Sequence, residues 1–372
     1  MFALSYDERD KRVAGMTNAG LVRCGVIKND VSNEYLNVSL SEMARRCLND
    51  AGCNTNGMKI DQIVDKSMSF HVPRGAQTTS DFPVILENIM HKMVLMGFNA
   101  TPAKWPRFCK IGDVSDFRAW SRIVPGLIGD MDGVNEAGEY LNKNIPDGEK
   151  NSVTASRKGN IINIPPEVII NDDIGYIDSV AKGMGAAGNR VIDRAVFALL
   201  VSNPTMSDGN SLFSAAHNNY LATGSGTAPS VASLDLARIA LATQTAPGDD
   251  AEPLDIVPGA AVCPTTLGGE MRVINDAEYD PDTPNKLQKP NKVRGLVADI
   301  VDTARLTNST GWYVFGNPEL NPVIEVSFLN GQRAPRVVRK ESFRTSGISL
   351  KVEFPFGVNA VDWRGGYFNY GS

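Results

Sequence analysis

Apolar positions in the first third of the chain recur at helical spacing. In residues 40–51, Met43, Ala44, Cys47 and Leu48 form one stripe, and Gly52 stops it. Residues 58–68 repeat the pattern with Ile60, Ile63, Val64 and Met68. A third helix is predicted from Asp81, a capping residue, with Pro83 in its first turn. Phe82, Ile85, Ile89, Met93 and Met96 line one face of it up to Gly97. This Met-rich face reads as adaptable core packing. The longest period follows Asn171-Asp172-Asp173: Ile177, Val180, Ala181, Met184, Ala187, Val191, Ile192, Ala195, Val196, Leu199 and Leu200 hold a 3.6-residue repeat. At ~1.5 Å per residue this helix, residues 173–202, spans roughly 45 Å. Asn203-Pro204 ends it.

Between these helices the pattern changes. Residues 104–128 carry aromatics broken by Gly and Pro, which predicts short strands. Residues 130–173 are polar, with Gly133, Gly138, Gly148 and Gly159, and predict two strands at 139–143 and 153–164 around a charged tip. An isolated two-stranded hairpin is marginally stable in water, so this one needs a further surface from its own chain or a neighbour's. Residues 1–35 are weakly patterned, as a frayed end or a partner-ordered arm would be. In the second half, Leu234, Ala237, Ile239 and Leu241 mark a helix at 233–243. Strands are predicted at 255–264, 297–300, 311–315, 323–328 and 348–354, with a closing segment at 360–370. An acidic, Pro-rich excursion occupies 276–292. The class is α+β.

Composition narrows the function classes. The 372 residues are 42% apolar and 21% charged, which excludes a disordered chain and suits two or three structural units. A net charge of −5 argues against binding nucleic acid through an overall positive field. Five cysteines, an odd number scattered along the chain, suit reduced thiols. The opening MFALSYDERDKR lacks the apolar core of an export signal, and the longest apolar run, 195–201, is too short to span a membrane. The expectation is a soluble protein made inside a cell.

Candidate chemistry is sparse. Gly183-Met184-Gly185-Ala186-Ala187-Gly188 spells the G-x-G-x-x-G of a dinucleotide site, with Asp208 twenty residues on. That site needs a strand before the glycines, whereas here the helical period runs through them. A continuous helix whose small residues admit a close neighbour is the expected reading, and a nicotinamide-dependent enzyme is disfavoured. Asp208, Ser211 and His217 suggest a hydrolase set, but no G-x-S-x-G elbow accompanies them. Cys47, Cys53 and His71 lack the paired spacing of a zinc site, and Asp276, Glu278, Asp280 and Asp282 have Pro281 where a calcium loop wants Gly. Arg333, Arg336, Arg339, Lys340 and Arg344 alternate with Val337, Val338 and Phe343, as an exposed strand face or subunit contact would. The expectation is no catalytic, cofactor or metal site and no enzyme.

The order of parts is more informative: arm, long polar hairpin, very long helix, α/β domain, terminal strands. With the stretches SEMARRCLNDAG (41–52), TTSDFPVILENIM (78–90), GEYLN (138–142), IINDDIG (169–175), NPTMSDGNSLFSAAHNN (203–219), VASLDLARIAL (231–241) and GVNAVDWRGGY (357–367), the chain resembles the major capsid proteins of tailed double-stranded DNA phages, with the HK-97-like fold. It is most similar to the Mu-like group, whose head protein is often encoded behind a prohead protease. The resemblance implies an N-arm (1–35), an N-terminal helical segment (36–100), a P-domain part (101–129) and an E-loop (130–166). It further implies P-domain with spine helix (167–212), A-domain (213–321), P-domain strands (322–356) and an A-domain edge (357–372).

Assembly contacts are then expected at Glu139, Tyr140, Lys143, Lys150, Arg157 and Lys158 in the E-loop, and at Arg333, Arg336 and Arg339 on a P-domain strand. The implied function is structural: pentamers and hexamers of an icosahedral head around double-stranded DNA, assembled in the host bacterial cytoplasm. The implied partners are further copies, a portal, decoration or scaffolding proteins, and DNA held without sequence specificity. A nanocompartment shell around a cargo enzyme is the alternative within the fold. With no protease elbow in the chain, it reads as a separated capsid part. Some relatives cross-link subunits through an E-loop Lys. Lys143, Lys150 and Lys158 are available, but no acid is poised beside them in the sequence, and no cross-link is expected.

Overall fold

The computed structural model describes residues 8–28, 32–69, 81–124, 149–247, 252–281, 289–340 and 348–371. In chain order the helices are α1 (Glu8–Arg23), α2 (Leu40–Asp50), α3 (Ile60–Ser69), α4 (Asp81–Ala100), α5 (Pro166–Ile170), α6 (Ile174–Ser202), α7 (Val231–Ala242) and α8 (Thr265–Asp276). The strands are β1 (Lys110–Val114), β2 (Trp120–Val124), β3 (Glu149–Val153), β4 (Ser156–Ile164), β5 (Tyr220–Leu221) and β6 (Pro258–Pro264). They continue with β7 (Asp299–Thr303), β8 (Trp312–Gly316), β9 (Ile324–Leu329), β10 (Arg336–Lys340), β11 (Ile348–Ala360) and β12 (Gly366–Asn369). No described helix is long and apolar enough to cross a membrane. The chain forms two compact units, residues 1–102, 157–190 and 332–355 in the first and the remainder in the second.

The first unit packs helices on strands. β10 runs antiparallel to the first half of β11, from Arg336 opposite Glu353 to Lys340 opposite Ser349, and β4 also pairs with β11. Val337, Ile348, Leu350 and Val352 join a buried cluster with Met43, Leu48, Ile63, Ile85, Ile89 and Met93 from the helices. Ser39 caps α2 by accepting from the Glu42 amide. Residues 8–28, given no element by the sequence pattern, hold α1. Its Met16, Ala19 and Leu21 are buried in the same cluster. Apolar residues at spacings of three and two among many charges give too weak a periodic signal to see without the neighbour they pack on.

The Gly183–Gly188 motif lies inside α6, as the uninterrupted period predicts. A Cβ on Gly185 would overlap the Val94 carbonyl oxygen of α4, and one on Gly97 would overlap the Lys182 carbonyl oxygen of α6. The two helices therefore cross with their backbones in contact. Asn189, buried on α6, donates to the Phe98 carbonyl at 2.6 Å and the Thr101 carbonyl at 3.1 Å, so it satisfies open carbonyls at the end of α4. The dinucleotide reading is overturned: the glycines lie in the middle of α6 with no strand leading into them, and another backbone occupies the space a pyrophosphate would need.

The second unit contains a five-stranded sheet in the order β5-β12-β8-β6-β7, with α7 and α8 against it. Trp312, Val314, Ala261 and Cys263 share a core with Leu234, Leu241, Met271 and Ile274. Ser230 and Ser233 form a capping box at the start of α7. In the same unit β9 pairs parallel with β1 and antiparallel with the second half of β11. The sequence pattern predicts neither α5 nor α8. α8 begins Thr-Thr-Leu-Gly-Gly, a weak helical sequence, and Gly268 fits because a larger residue there would press on Asp302.

The polar hairpin needs correction. Its first predicted strand, 139–143, falls outside the described residues. Its second, 153–164, is β4 from Ser156 onward and pairs with β11; Val153 ends β3, a further strand at residues that the pattern leaves in the charged tip, which pairs with β2. Thr154 and Ala155 separate them. Part of the surface that the hairpin needs is thus supplied by its own chain.

Candidate functional site

β2 and β3 form an antiparallel ladder from Trp120 opposite Val153 to Val124 opposite Glu149, so the two ends of segment 125–148 are joined at a two-stranded root. Each strand of that root carries one member of an arginine–carboxylate clamp. On β2, Arg122 donates from Nε and Nη2 to Glu325 of β9 at 2.9 and 2.6 Å, and from Nη2 to the Asp113 carbonyl at 3.1 Å. Glu325 is only 2% exposed and also accepts from Ser327 Oγ at 2.7 Å. Residue 112 on β1 is a glycine because a Cβ there would overlap the Glu325 carboxylate. The Glu325 hydrogen bonds push the Arg122 guanidinium further up from its ordinary value.

On β3 the polarity is reversed. Glu149 accepts two bonds from Arg364, at 2.9 and 2.6 Å. Arg364, 3% exposed, also donates to the Thr245 carbonyl at 2.7 Å and to Asp362 at 3.0 Å, and lies 4.2 Å from the Trp363 ring centroid. Burial works against the Arg364 charge, but hydrogen bonds and attraction from Glu149 and Asp362 outweigh it and leave its pKa raised. Asp362 is affected the other way: burial pushes its pKa up despite Arg364. Asn151, two residues further along β3, donates to the Val361 carbonyl at 2.8 Å and accepts from the Ser207 amide at 3.2 Å. A cavity of about 530 Å³ lies at the root, with Arg122, Glu325, Asp362 and Arg364 in its wall and Ile123 and Leu320 also lining it.

The structure brings Asp208 and His217 together, with Nε2 2.6 Å from the Asp208 carboxylate. The other ring nitrogen faces the Leu212 carbonyl at 3.3 Å, and the buried ring stacks on Trp363 at 4.2 Å and 3°. Both nitrogens are thus committed to acceptors, and neither is available to activate Ser211. Burial raises the Asp208 pKa, but the bonds from His217 and Asn210 outweigh it and hold the carboxyl below its ordinary value. The set is a structural pin beside the root, since Ser207 next to it holds Asn151.

Of the residues expected as contacts, Glu139, Tyr140 and Lys143 lie outside the described residues. Lys150 is exposed on β3, opposite Ile123. Arg157 and Lys158 are exposed on β4. Arg333 and Arg336 are exposed before and at the start of β10, and Arg339 stands on β10 opposite Leu350. Lys150 belongs to the second unit and the arginines and Lys158 to the first, so they form no single cluster within either. The sequence reading does not single out Arg122, Glu149, Glu325 or Arg364. Glu325 has a legible signal, a lone carboxylate in the apolar run VIEVSF, where burial demands a partner.

The sequence profile of the family described as "Phage capsid protein" matches residues 148–369. No curated protein matches the chain. Solved structures with a similar fold include the capsid of Ralstonia phage GP4, with 11% identity over 73% of this chain and 92% of that one, at a TM-score of 0.48. The virus-like particle from Pyrococcus furiosus shares 12% identity over 75% and 97% of the two chains, at a TM-score of 0.43. The SrpI encapsulin complex from Synechococcus elongatus PCC 7942 shares 8% over 83% and 95%, also at 0.43. At these scores the likenesses carry no argument of their own. The profile match, which covers more than half of the chain and takes in β3, Glu325 and Arg364, shows that this protein belongs to the phage capsid protein family.

Proposed function

We propose that the chain is the major subunit of a phage head, assembling into pentamers and hexamers of an icosahedral shell around double-stranded DNA. The carrying observation is the clamped root: both ends of segment 125–148 are fixed within the second unit by buried arginine–carboxylate pairs. Such a root commits buried charge to holding one segment at a set angle, which suits a segment whose surface lies on another copy. We read the E-loop as segment 125–148 with its root, in place of the 130–166 that the resemblance implies, because β4 pairs with β11; α6 is the spine helix and β10 a contact strand. The stretches at 41–52, 203–219 and 357–367 support placing the chain nearest the Mu-like group. A portal, decoration or scaffolding proteins and assembly in the host cytoplasm belong to the same reading.

No residue in this reading acts on a substrate. Sedimentation and negative-stain micrographs of the purified full chain test it. Closed particles are expected, containing DNA when recovered from infected cells. Monomers alone would contradict the shell reading, and particles filled with a cargo protein would replace it by a nanocompartment.

A further inference from the structure

The buried Glu325 carboxylate has a second cation on its own sheet. Lys110 of β1 stands opposite Glu325 in the parallel β1–β9 ladder, and residues so paired lie on the same face of the sheet. Glu325 leans across that face, since its carboxylate fills the space above Gly112, two residues along β1 from Lys110. Lys110, Arg122 and Glu325 line one cavity. Lys110 is half-buried and makes no ion pair or side-chain hydrogen bond among the described residues. Arg364, in the same wall, is already committed to Asp362, Glu149 and the Thr245 carbonyl. Glu325 therefore has one bonded cation, Arg122, and one idle cation on the neighbouring strand.

The two cations differ in where they are fixed. Lys110 belongs to the sheet, whereas Arg122 comes from β2, whose Trp120, Ser121 and Ile123 are exposed. Arg122 is thus the side chain that ties β2 to β9. Its planar guanidinium takes both carboxylate oxygens, while an ammonium offers a point charge, so the pair with Arg122 is the favoured one. Without a substitute, withdrawing Arg122 would strand a carboxylate that is almost wholly buried, which is strongly destabilising. The other clamp has the same provision: if Glu149 leaves, Arg364 keeps Asp362 and the Thr245 carbonyl. Asn151 and Val153, buried on β3, hold the far end of the ladder in either case. We infer that Lys110 is a relief partner for Glu325: when the β2–β3 root lifts from β9, the carboxylate passes from Arg122 to Lys110, and the latch opens without leaving a buried charge alone. Its use in aiming segment 125–148 rests on the shell reading, whereas the exchange of partners is a property of the single chain.

The test is native-state hydrogen exchange of the full chain, held as subunits by dilution, at the β2 and β3 amides, with the β6 and β8 amides as an internal reference. Lys110→Met keeps an unbranched side chain and removes the charge, so it penalises the open root alone. Exchange at the root, relative to the reference, should slow about tenfold. Lys110→Arg, which keeps a cation there, should exchange at least as fast as the wild type. A lysine that merely packs or is solvated gives a ratio that is unchanged or higher in Lys110→Met, and either result would overturn the inference. So would Lys110→Arg exchanging as slowly as Lys110→Met. Urea titration gives a second reading. Arg122→Met should lower the folding equilibrium constant about tenfold further in Lys110→Met chains than in the wild type, because only there is Glu325 left without a cation. Equal losses in the two backgrounds would contradict the exchange of partners. Slowed root exchange in a chain that never forms closed particles would keep the latch and sink the shell reading. Closed particles with unchanged root exchange in Lys110→Met would do the reverse.

Discussion

The α4–α6 crossing and the β2–β3 root are both tight places in the molecule, held by opposite means. At the crossing no charged side chain makes the contact: glycines at 97 and 185 remove side chains so that two backbones touch, and Asn189 satisfies the carbonyls at the helix end. At the root the contact is made by long charged side chains, Arg122 with Glu325 and Arg364 with Glu149 and Asp362. A backbone contact has no slack and depends on volume. An arginine clamp tolerates small shifts of its strands but depends on keeping both charges. The difference suits a fixed frame in the first unit and, in the second, a segment that must be aimed.

The largest effect is expected at the root. Arg364→Ala leaves Asp362 buried and unpaired and removes both bonds to Glu149. About 3–5 kcal/mol of stability should go with it by denaturant titration. Arg364→Met, which keeps the volume, should be as damaging while Asp362 stays charged, and Arg364→Met with Asp362→Leu should recover much of the loss. A loss below about 1 kcal/mol for Arg364→Ala would show that the clamp is solvated and would erase the contrast with the crossing.

Next in size is the crossing. Gly185→Ala should cost about 1–3 kcal/mol by forcing α4 and α6 apart. Gly183→Ala, exposed on the same helix where a Cβ meets only open space, should gain up to about 1 kcal/mol from helix propensity. Equal effects at the two glycines would break the idea of a backbone contact. Saturating nicotinamide cofactor should leave the melting temperature of the wild type unchanged.

Acid separates the two regions again. The Asp208 carboxyl is held below its ordinary value, so its stabilisation is complete above about pH 4 and disappears as pH falls through the lowered value. Asp362, raised by burial, has the opposite sign: its contribution is greatest at low pH and is lost as pH rises. Hydrogen exchange between about pH 5 and 3 should show the 203–219 segment loosening before the α4–α6 crossing, and Asp208→Asn should flatten that change. Simultaneous loosening of both would contradict the contrast. The smallest effect concerns thiols. Burial pushes Cys24 and Cys263 up to about 11 and Cys47 up to about 12, so native alkylation near pH 8 should be at least about tenfold slower than in urea.

The α4–α6 side of the comparison is largely legible in the sequence. The pattern places the start of α6 within a residue and reads its glycines as a close-packing face, because a 3.6-residue period survives in one dimension. The root is not legible. Arg122 and Glu325 are separated by 203 residues, and Glu149 and Arg364 by 215; only the tertiary fold makes each pair. β3 is likewise invisible, since Glu149-Lys150-Asn151-Ser152 has no alternating apolar pattern and becomes a strand only by pairing with β2. α1 escapes the pattern because its stripe is narrow and its surroundings charged.

The central claim is that segment 125–148, aimed by its clamped root, joins copies into a shell. Particles from the full chain should be compared by negative-stain microscopy with those from a chain whose residues 127–146 are replaced by a Gly-Ser linker, leaving β2, β3 and both clamps intact. Closed shells are predicted from the first, and from the second a folded chain with an unchanged melt that stays as subunits or open capsomers. Shells of normal size and stability from the shortened chain would contradict the claim.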